Sequence, residues 1–228
     1  MTTPIVKTDT LPHFISDEVN HRVTEGWQTL QAKDPRVFNG TLLRVLGDIN
    51  ENSTSVPVAD DIGYREVVGL RCYKDFLDWV GEEERYQVLS AIAFVETADG
   101  VVLLRDRSTG DWEYSIELLG GFITANDAPD TVEEYISRRV AADLSMPLET
   151  VSSVERIGHI DFKSICESMF VYKVSLSILF KDIKQSPIQF FAIPEGYTAE
   201  AHHSFFEIPL HSPSQAVLEK YLATVISK

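Results

Sequence analysis

Cysteine is scarce in this chain: only Cys72 and Cys166 occur among 228 residues, and they lie far apart. That spacing excludes a disulfide framework and a cysteine-based metal site, and a reducing compartment, the cytoplasm, is expected. Long apolar runs are missing as well. No stretch reaches the roughly 18 apolar residues that a membrane span needs, and the opening MTTPIVKTDTLPHF lacks the basic-then-apolar order of a secretory signal. Neither a membrane partner nor a targeting role is expected. Basic residues are outnumbered, 20 against 35 acidic ones, for a formal charge of -15. This balance repels phosphate backbones and excludes nucleic acid as a partner. A small phosphate ligand is still allowed, because a local cluster of arginine and backbone N–H groups can hold one inside an acidic protein.

What is present is ordinary for a globular protein, with 44% hydrophobic and 24% charged residues. Residues 1–15 read as an extended arm, after which Ser16 starts a helix. Val19, Val23, Trp27 and Leu30 share one face of it, and Asp34-Pro35 stops it. A strand at 41–46, a polar loop at 50–61 and a second strand at 64–73 suggest a hairpin with a long connection. Residues 75–80 look like a short helical turn. The charged run Gly81-Glu82-Glu83-Glu84-Arg85 is the expected boundary, giving an N-terminal extension at 1–86 and a main domain at 87–228.

Beyond the boundary, 88–96 is a continuous apolar run of strand length, Ala98-Asp99-Gly100 a turn and 101–105 a second strand. Residues 106–119 read as an irregular connection, and Gly120-Gly121-Phe122 leads through a polar loop into a helix. Asp130 is the expected N-cap, with Glu133 completing a capping box, and the helix should run to about Ser145. Strands follow at 154–162, 168–180 and 203–208. A last helix opens with Ser212 as cap and Pro213 as first helical residue.

The double glycine, polar loop and helix carrying Arg138-Arg139-Val140-Ala141-Ala142-Asp143-Leu144-Ser145-Met146 resemble the Nudix box, G-x5-E-x7-R-E-U-x-E-E-x-G-U with U aliphatic. Gly121 fits the opening glycine, and Val140 and Met146 the aliphatic positions. Arg138 falls three residues later than the box would place its arginine, so the loop here is longer. In that family, helix carboxylates hold divalent cations that neutralise a pyrophosphate and activate water. The corresponding face in this chain carries Arg139, Ala142 and Asp143, of which only Asp143 is acidic. Glu133 and Glu134 lie far around the helix from it and are read as capping and solvating the first turn. Asp127 stands at the count of the first box glutamate, within the lengthened loop.

The segments Asp34-Pro35-Arg36-Val37-Phe38-Asn39-Gly40 and Val68-Gly69-Leu70-Arg71-Cys72-Tyr73-Lys74-Asp75-Phe76-Leu77 extend the resemblance over nearly the whole chain. They are similar to the atypical Nudix branch that contains the uridine diphosphate glucose pyrophosphatase. That resemblance implies an α/β (α+β) fold, a Nudix-type α/β/α sandwich with a mixed sheet and a small N-terminal α/β extension. It also implies Mg²⁺-dependent cleavage of a UDP-hexose to UMP and a hexose 1-phosphate. Within it Asp143 and Arg138 become the candidate catalytic residues and Asp143 the candidate metal ligand. Gly120, Gly121, Arg139 and Trp112 become candidates for holding substrate. Arg139 can meet a phosphate directly but supplies no activated water.

Other residues offer weaker candidacies. Asp161, Glu167, Glu195 and Glu200 could supply a relocated acid. His202 and His203, as neighbours on a strand, would point to opposite faces, and His159 reads as a strand residue with a satisfied hydrogen bond. Trp112 and Tyr114 could stack on a base or pack on the sheet edge. Two readings stay open: a Nudix-fold protein with lost or much reduced hydrolase activity that binds a nucleotide, a nucleoside diphosphate sugar or a protein partner, or an active Mg²⁺-dependent pyrophosphatase with rearranged ligands.

Overall fold

The computed structural model describes residues 2–107, 114–127, 129–183 and 188–226. Along them run β1 (Ile5–Lys7), α1 (Asp17–Lys33), β2 (Thr41–Val45), β3 (Val56–Gly63), α2 (Tyr64–Arg71), α3 (Phe76–Trp79), β4 (Val88–Glu96) and β5 (Val102–Arg107). These are followed by β6 (Ser115–Glu117), β7 (Leu119–Phe122), α4 (Val132–Asp143), β8 (Val151–Phe162), β9 (Glu167–Leu176), β10 (Phe190–Ala192) and α5 (Ser212–Ile226). No helix among the described residues is long and apolar enough to cross a membrane.

The continuous apolar run of β4 marks it as the centre of the sheet, since a strand covered on both faces has no polar side to show. It lies parallel to β9 along its whole length and antiparallel to β2, β5 and β7. Its side chains alternate between two cores. Leu89, Ala91, Ala93 and Val95 meet Tyr135, Ile136 and Val140 of α4 and its cap residue Leu144 on one face. Ile92 and Phe94 meet Val217, Leu218, Tyr221 and Leu222 of α5 on the other. Helices on opposite faces of a mixed sheet make this the three-layer α/β/α architecture expected.

The N-terminal strands join the same sheet, because β2 pairs with both β3 and β4 while β1 lies parallel to β3 at the edge. A third core, including Val19, Val23, Leu42, Val67, Leu70 and Val88, seats α1 and α2 on these strands. Ser16 caps α1, its hydroxyl accepting from the Val19 N–H, and Glu84 accepts from the Ser16 N–H at 2.6 Å. The acidic run at 82–84 is therefore not a solvated linker throughout, since Glu84 is buried.

Several expectations need correction. Residues 64–71 form α2 and not a strand, while the preceding polar stretch supplies the strand β3. Tertiary contact overrides the β-branched valines here: a Cβ on Gly69 would lie 2.4 Å from the Val23 carbonyl oxygen, and one on Gly26 would lie 2.4 Å from that of Gly69. Only a glycine pair lets two helices approach so closely. In β3 the polar residues find partners, as Asp61 accepts two hydrogen bonds from Arg44 on β2, at 2.6 and 2.8 Å.

Residues 115–117, expected within an irregular connection, pair with β5 as β6. The cap of α4 is Thr131, one residue later than Asp130: its hydroxyl accepts from the Glu134 N–H at 3.1 Å, while the Glu134 carboxylate accepts from the Asp130 N–H at 2.7 Å. Glu133 instead faces inward and accepts from the Thr3 N–H and hydroxyl at 2.7 and 2.8 Å, pinning the N-terminal arm. The expected strand at 203–208 is absent among the described residues, its start being a single helical turn at His202–Ser204, and the strand beside β5 is β10. α5 begins at Ser212 itself, one residue before the expected first turn.

Candidate functional site

Position 120 is where β7 crosses closest to the central strand. A Cβ on Gly120 would stand 2.2 Å from the Ala91 carbonyl oxygen and 2.7 Å from the Ile92 Cα, and its φ of +142° is one that side chains rarely adopt. Gly120 and Gly121 thus lie in β7, which ends at Phe122 and runs into the loop ahead of α4. Next to them opens a cleft of about 490 Å³, bounded by β7, the C-terminal half of α4, β5, β6, the start of β9 and the segment 34–40.

The carboxylate of Asp143 sits at the inner end of this cleft, and two cations hold it. Arg139, one turn earlier on α4, donates from Nε to both oxygens at 3.0 and 3.2 Å. From the sheet side Arg105 donates to Oδ2 of Asp143. Arg105 also donates to Glu117 on the neighbouring strand at 2.9 Å through Nε, and to the Gly120 carbonyl at 3.1 Å. Beyond Glu117 stands His211, with Nδ1 at 3.6 Å. Arg105, Glu117 and Asp143 are buried, whereas the Arg139 side chain keeps 39% exposure and ends in the cleft.

The burial of this charged row is tolerable because each charge has an opposite one in contact. Partial burial disfavours the charged form of Arg139, but the Asp143 carboxylate outweighs it and holds the guanidinium above its ordinary pKa. Burial pushes the Tyr135 hydroxyl well above its usual range, so it remains a donor, to the Phe122 carbonyl at 2.7 Å. A second buried pair lies in the same cleft, Arg71 with Glu167 at 2.9 Å. The Arg71 guanidinium also stands 4.9 Å from the centre of the Phe122 ring. Cys166, beside Glu167, is no candidate nucleophile, since burial pushes its thiol up to about 12.

Sequence reasoning placed Gly120, Gly121, Arg139 and Asp143 in one site, and all four line this cleft. Arg138 does not. It points away on α4, pairs with Glu134 one turn earlier, and has a side chain 53% exposed. Trp112 lies outside the described residues. Tyr114 is exposed and approaches Asp106 at 3.5 Å. Of the other acids, Glu167 lines the cleft, Asp161 is exposed beside Gln87, and Glu195 and Glu200 are exposed away from it. His202 is buried between the Tyr197 hydroxyl at 2.8 Å and the Ile208 carbonyl at 2.6 Å, while His203 is exposed. His159 bonds the Ser168 hydroxyl at 2.8 Å.

Magnesium requires several oxygen donors converging on one point. Among the described residues no three of His, Cys, Asp or Glu do so. Asp143, the candidate ligand, is already the shared acceptor of two guanidinium groups, and a divalent ion there would have to displace them. The described residues do not fit the ion. Sequence reasoning missed Arg105, Glu117 and Arg71: Arg105 opens the charged run Arg105-Asp106-Arg107 after the apolar Val102-Leu103-Leu104, and only the alternation of that strand could have marked its face.

No family model matches the chain, and no curated protein is similar to it. Among solved structures, a MutT/nudix family protein from Enterococcus faecalis is 13% identical, covering 68% of each chain with a TM-score of 0.45. The NUDIX domain of Shewanella oneidensis NrtR, solved with ADP ribose, is 18% identical over 66% of this chain and 97% of its own, with a TM-score of 0.43. A MutT protein from Methanosarcina mazei Go1 is 18% identical over 62% of this chain and 96% of its own, with a TM-score of 0.40. At these identities and TM-scores none of the three fixes a family for this chain.

Proposed function

We propose that this protein is a Nudix-like binding protein that takes a nucleoside diphosphate, or a nucleoside diphosphate sugar, into the cleft beside Gly121 without hydrolysing it by a metal-dependent route. The observation that carries this reading is the engagement of Asp143 by Arg105 and Arg139 together. A carboxylate that bridges two guanidinium groups has its lone pairs committed to their N–H donors, and it has little left to offer a cation. Arg139 uses its Nε–H on Asp143, so the terminal nitrogens of its planar fork are the donors open to a phosphate oxygen. It brings to a diphosphate the positive charge that a metal would bring in an active pyrophosphatase, but no bound water to attack it.

The test has two arms, both on the full chain. Thermal unfolding with UDP-glucose in the presence of EDTA should show a ligand-dependent rise in Tm. Incubation of UDP-glucose with MgCl2 or MnCl2 should release no UMP. Release of UMP by the parent that depends on the added metal would overturn the reading in favour of an active hydrolase.

A further inference from the structure

The cleft has two chemically different ends. Its inner end is the charged row that finishes on Arg139. Its outer rim comes from the segment 34–40, where the Arg36 guanidinium is clamped to Asp34 by bonds of 2.8 and 3.1 Å, and where Phe38 stands 76% exposed. An exposed phenylalanine on an otherwise folded loop is an unrecovered cost, and no other described phenylalanine, tyrosine or tryptophan is as exposed. Its ring is not adrift. One edge lies 3.2 Å from where a side chain at Gly40 would begin, so the ring rests against bare backbone there. Gly40 is fixed in turn, its carbonyl accepting from the Tyr64 N–H at 2.8 Å. Tyr64 packs edge-on against both Trp27 and Phe122, at 6.2 and 6.0 Å between ring centres. Phe38 thus rests on backbone that is tied to Tyr64, and it lines the cleft.

We infer that Phe38 is the stacking platform for the base of a nucleotide whose diphosphate is held by Arg139. This rests on the binding function proposed above and adds which part of the ligand each end of the cleft takes. The charge complementarity is one-sided: the open donors of Arg139 call for an anion, while the rim offers a flat apolar face and a guanidinium already neutralised by Asp34. A ligand with an anionic centre and a planar ring at one end satisfies both, and inorganic pyrophosphate satisfies only the first. The cleft volume of about 490 Å³ lies in the range of small-molecule sites. Specificity for a base over none would then reside in a residue outside the box-like helix.

The experiment compares UDP-glucose, ADP-ribose and inorganic pyrophosphate binding to the full chain by calorimetry in EDTA. Because Phe38 is so exposed, Phe38→Ala should leave the fold intact. It should weaken both nucleotides about tenfold and leave pyrophosphate unchanged, since stacking on an aromatic is lost while the phosphate contact stays. Phe38→Trp should restore nucleotide affinity, and Arg139→Gln should weaken all three ligands. Nucleotide affinities in Phe38→Ala within about twofold of the parent would overturn this inference and leave the binding function standing. A parallel loss of pyrophosphate would overturn it too. A parent protein that binds none of the three would overturn both.

Discussion

Arg139 reaches across one turn of α4 to place its Nε–H on both oxygens of Asp143, at 3.0 and 3.2 Å. The same carboxylate receives Arg105 from the sheet beneath. A single acidic residue thereby joins the box-like helix to β5 and, through Arg105 and Glu117, to β6.

This geometry gives Asp143 a structural role. Asp143→Ala should destabilise the protein by about 3–5 kcal/mol, because it strands the Arg105 guanidinium in the interior with one partner fewer. Arg139→Gln should cost under about 1 kcal/mol, since Arg139 is partly solvated and Asp143 keeps Arg105. Urea unfolding of the two variants beside the parent measures both, and equal losses would contradict the unequal burial of the two arginines.

Gly120→Ala should lower stability by about 3 kcal/mol or more, as the added methyl would overlap the Ala91 carbonyl and the Ile92 backbone of the central strand. Gly121→Ala meets only ordinary contacts and should cost about 1–2 kcal/mol, from its positive φ. The ratio of the two losses, read from thermal unfolding, tests how closely β7 is pressed on β4.

Gly69→Ala should separate α1 from α2, since its Cβ would lie 2.4 Å from the Val23 carbonyl oxygen. A loss of about 2–3 kcal/mol is expected, with a change in the environment of Trp27, which packs with Val68. Tryptophan fluorescence through a urea titration follows both. An unchanged midpoint would mean that the helix pair can spread without cost.

His159 supplies a pH dependence. Burial lowers its pKa, Lys220 and Arg156 add to that, and Asp161 opposes. The unfolded chain then takes up the proton first as pH falls. Its contribution to stability is complete above the ordinary histidine value of about 6.5, declines as pH falls through it, and stops declining below the lowered native value. His159→Gln should flatten the urea midpoint between pH 7.5 and pH 5.5, values that span that ordinary pKa by about one unit on either side. A slope unchanged from the parent would assign the dependence to other groups.

Where the apolar pattern was long and regular, the elements form as expected: the helix face of Val19, Val23, Trp27 and Leu30, the central strand at 88–96 and the helix expected to run to about Ser145, which ends two residues earlier at Asp143. Short segments misled. Residues 64–71 carry strand-prone valines, yet the approach of Gly69 to Gly26 makes a helix the conformation that packs. His202 and His203 read as strand neighbours, and hydrogen bonds to Tyr197 and Ile208 draw the first into a helical turn.

At the site the same division holds. The sequence by itself determined that the box-like helix carries Arg139, Ala142 and Asp143 on one face, since helical spacing is a property of the chain alone. It could not show what faces Asp143, because Arg105 and Glu117 come from strands 38 and 26 residues earlier, brought under α4 only by the pairing of β5, β6 and β7 with the central sheet. Tertiary structure decided that the remaining carboxylate meets two guanidinium groups, and it set Phe38 at the rim of the same cleft. Both are long-range contacts, which spacing along one helix cannot encode.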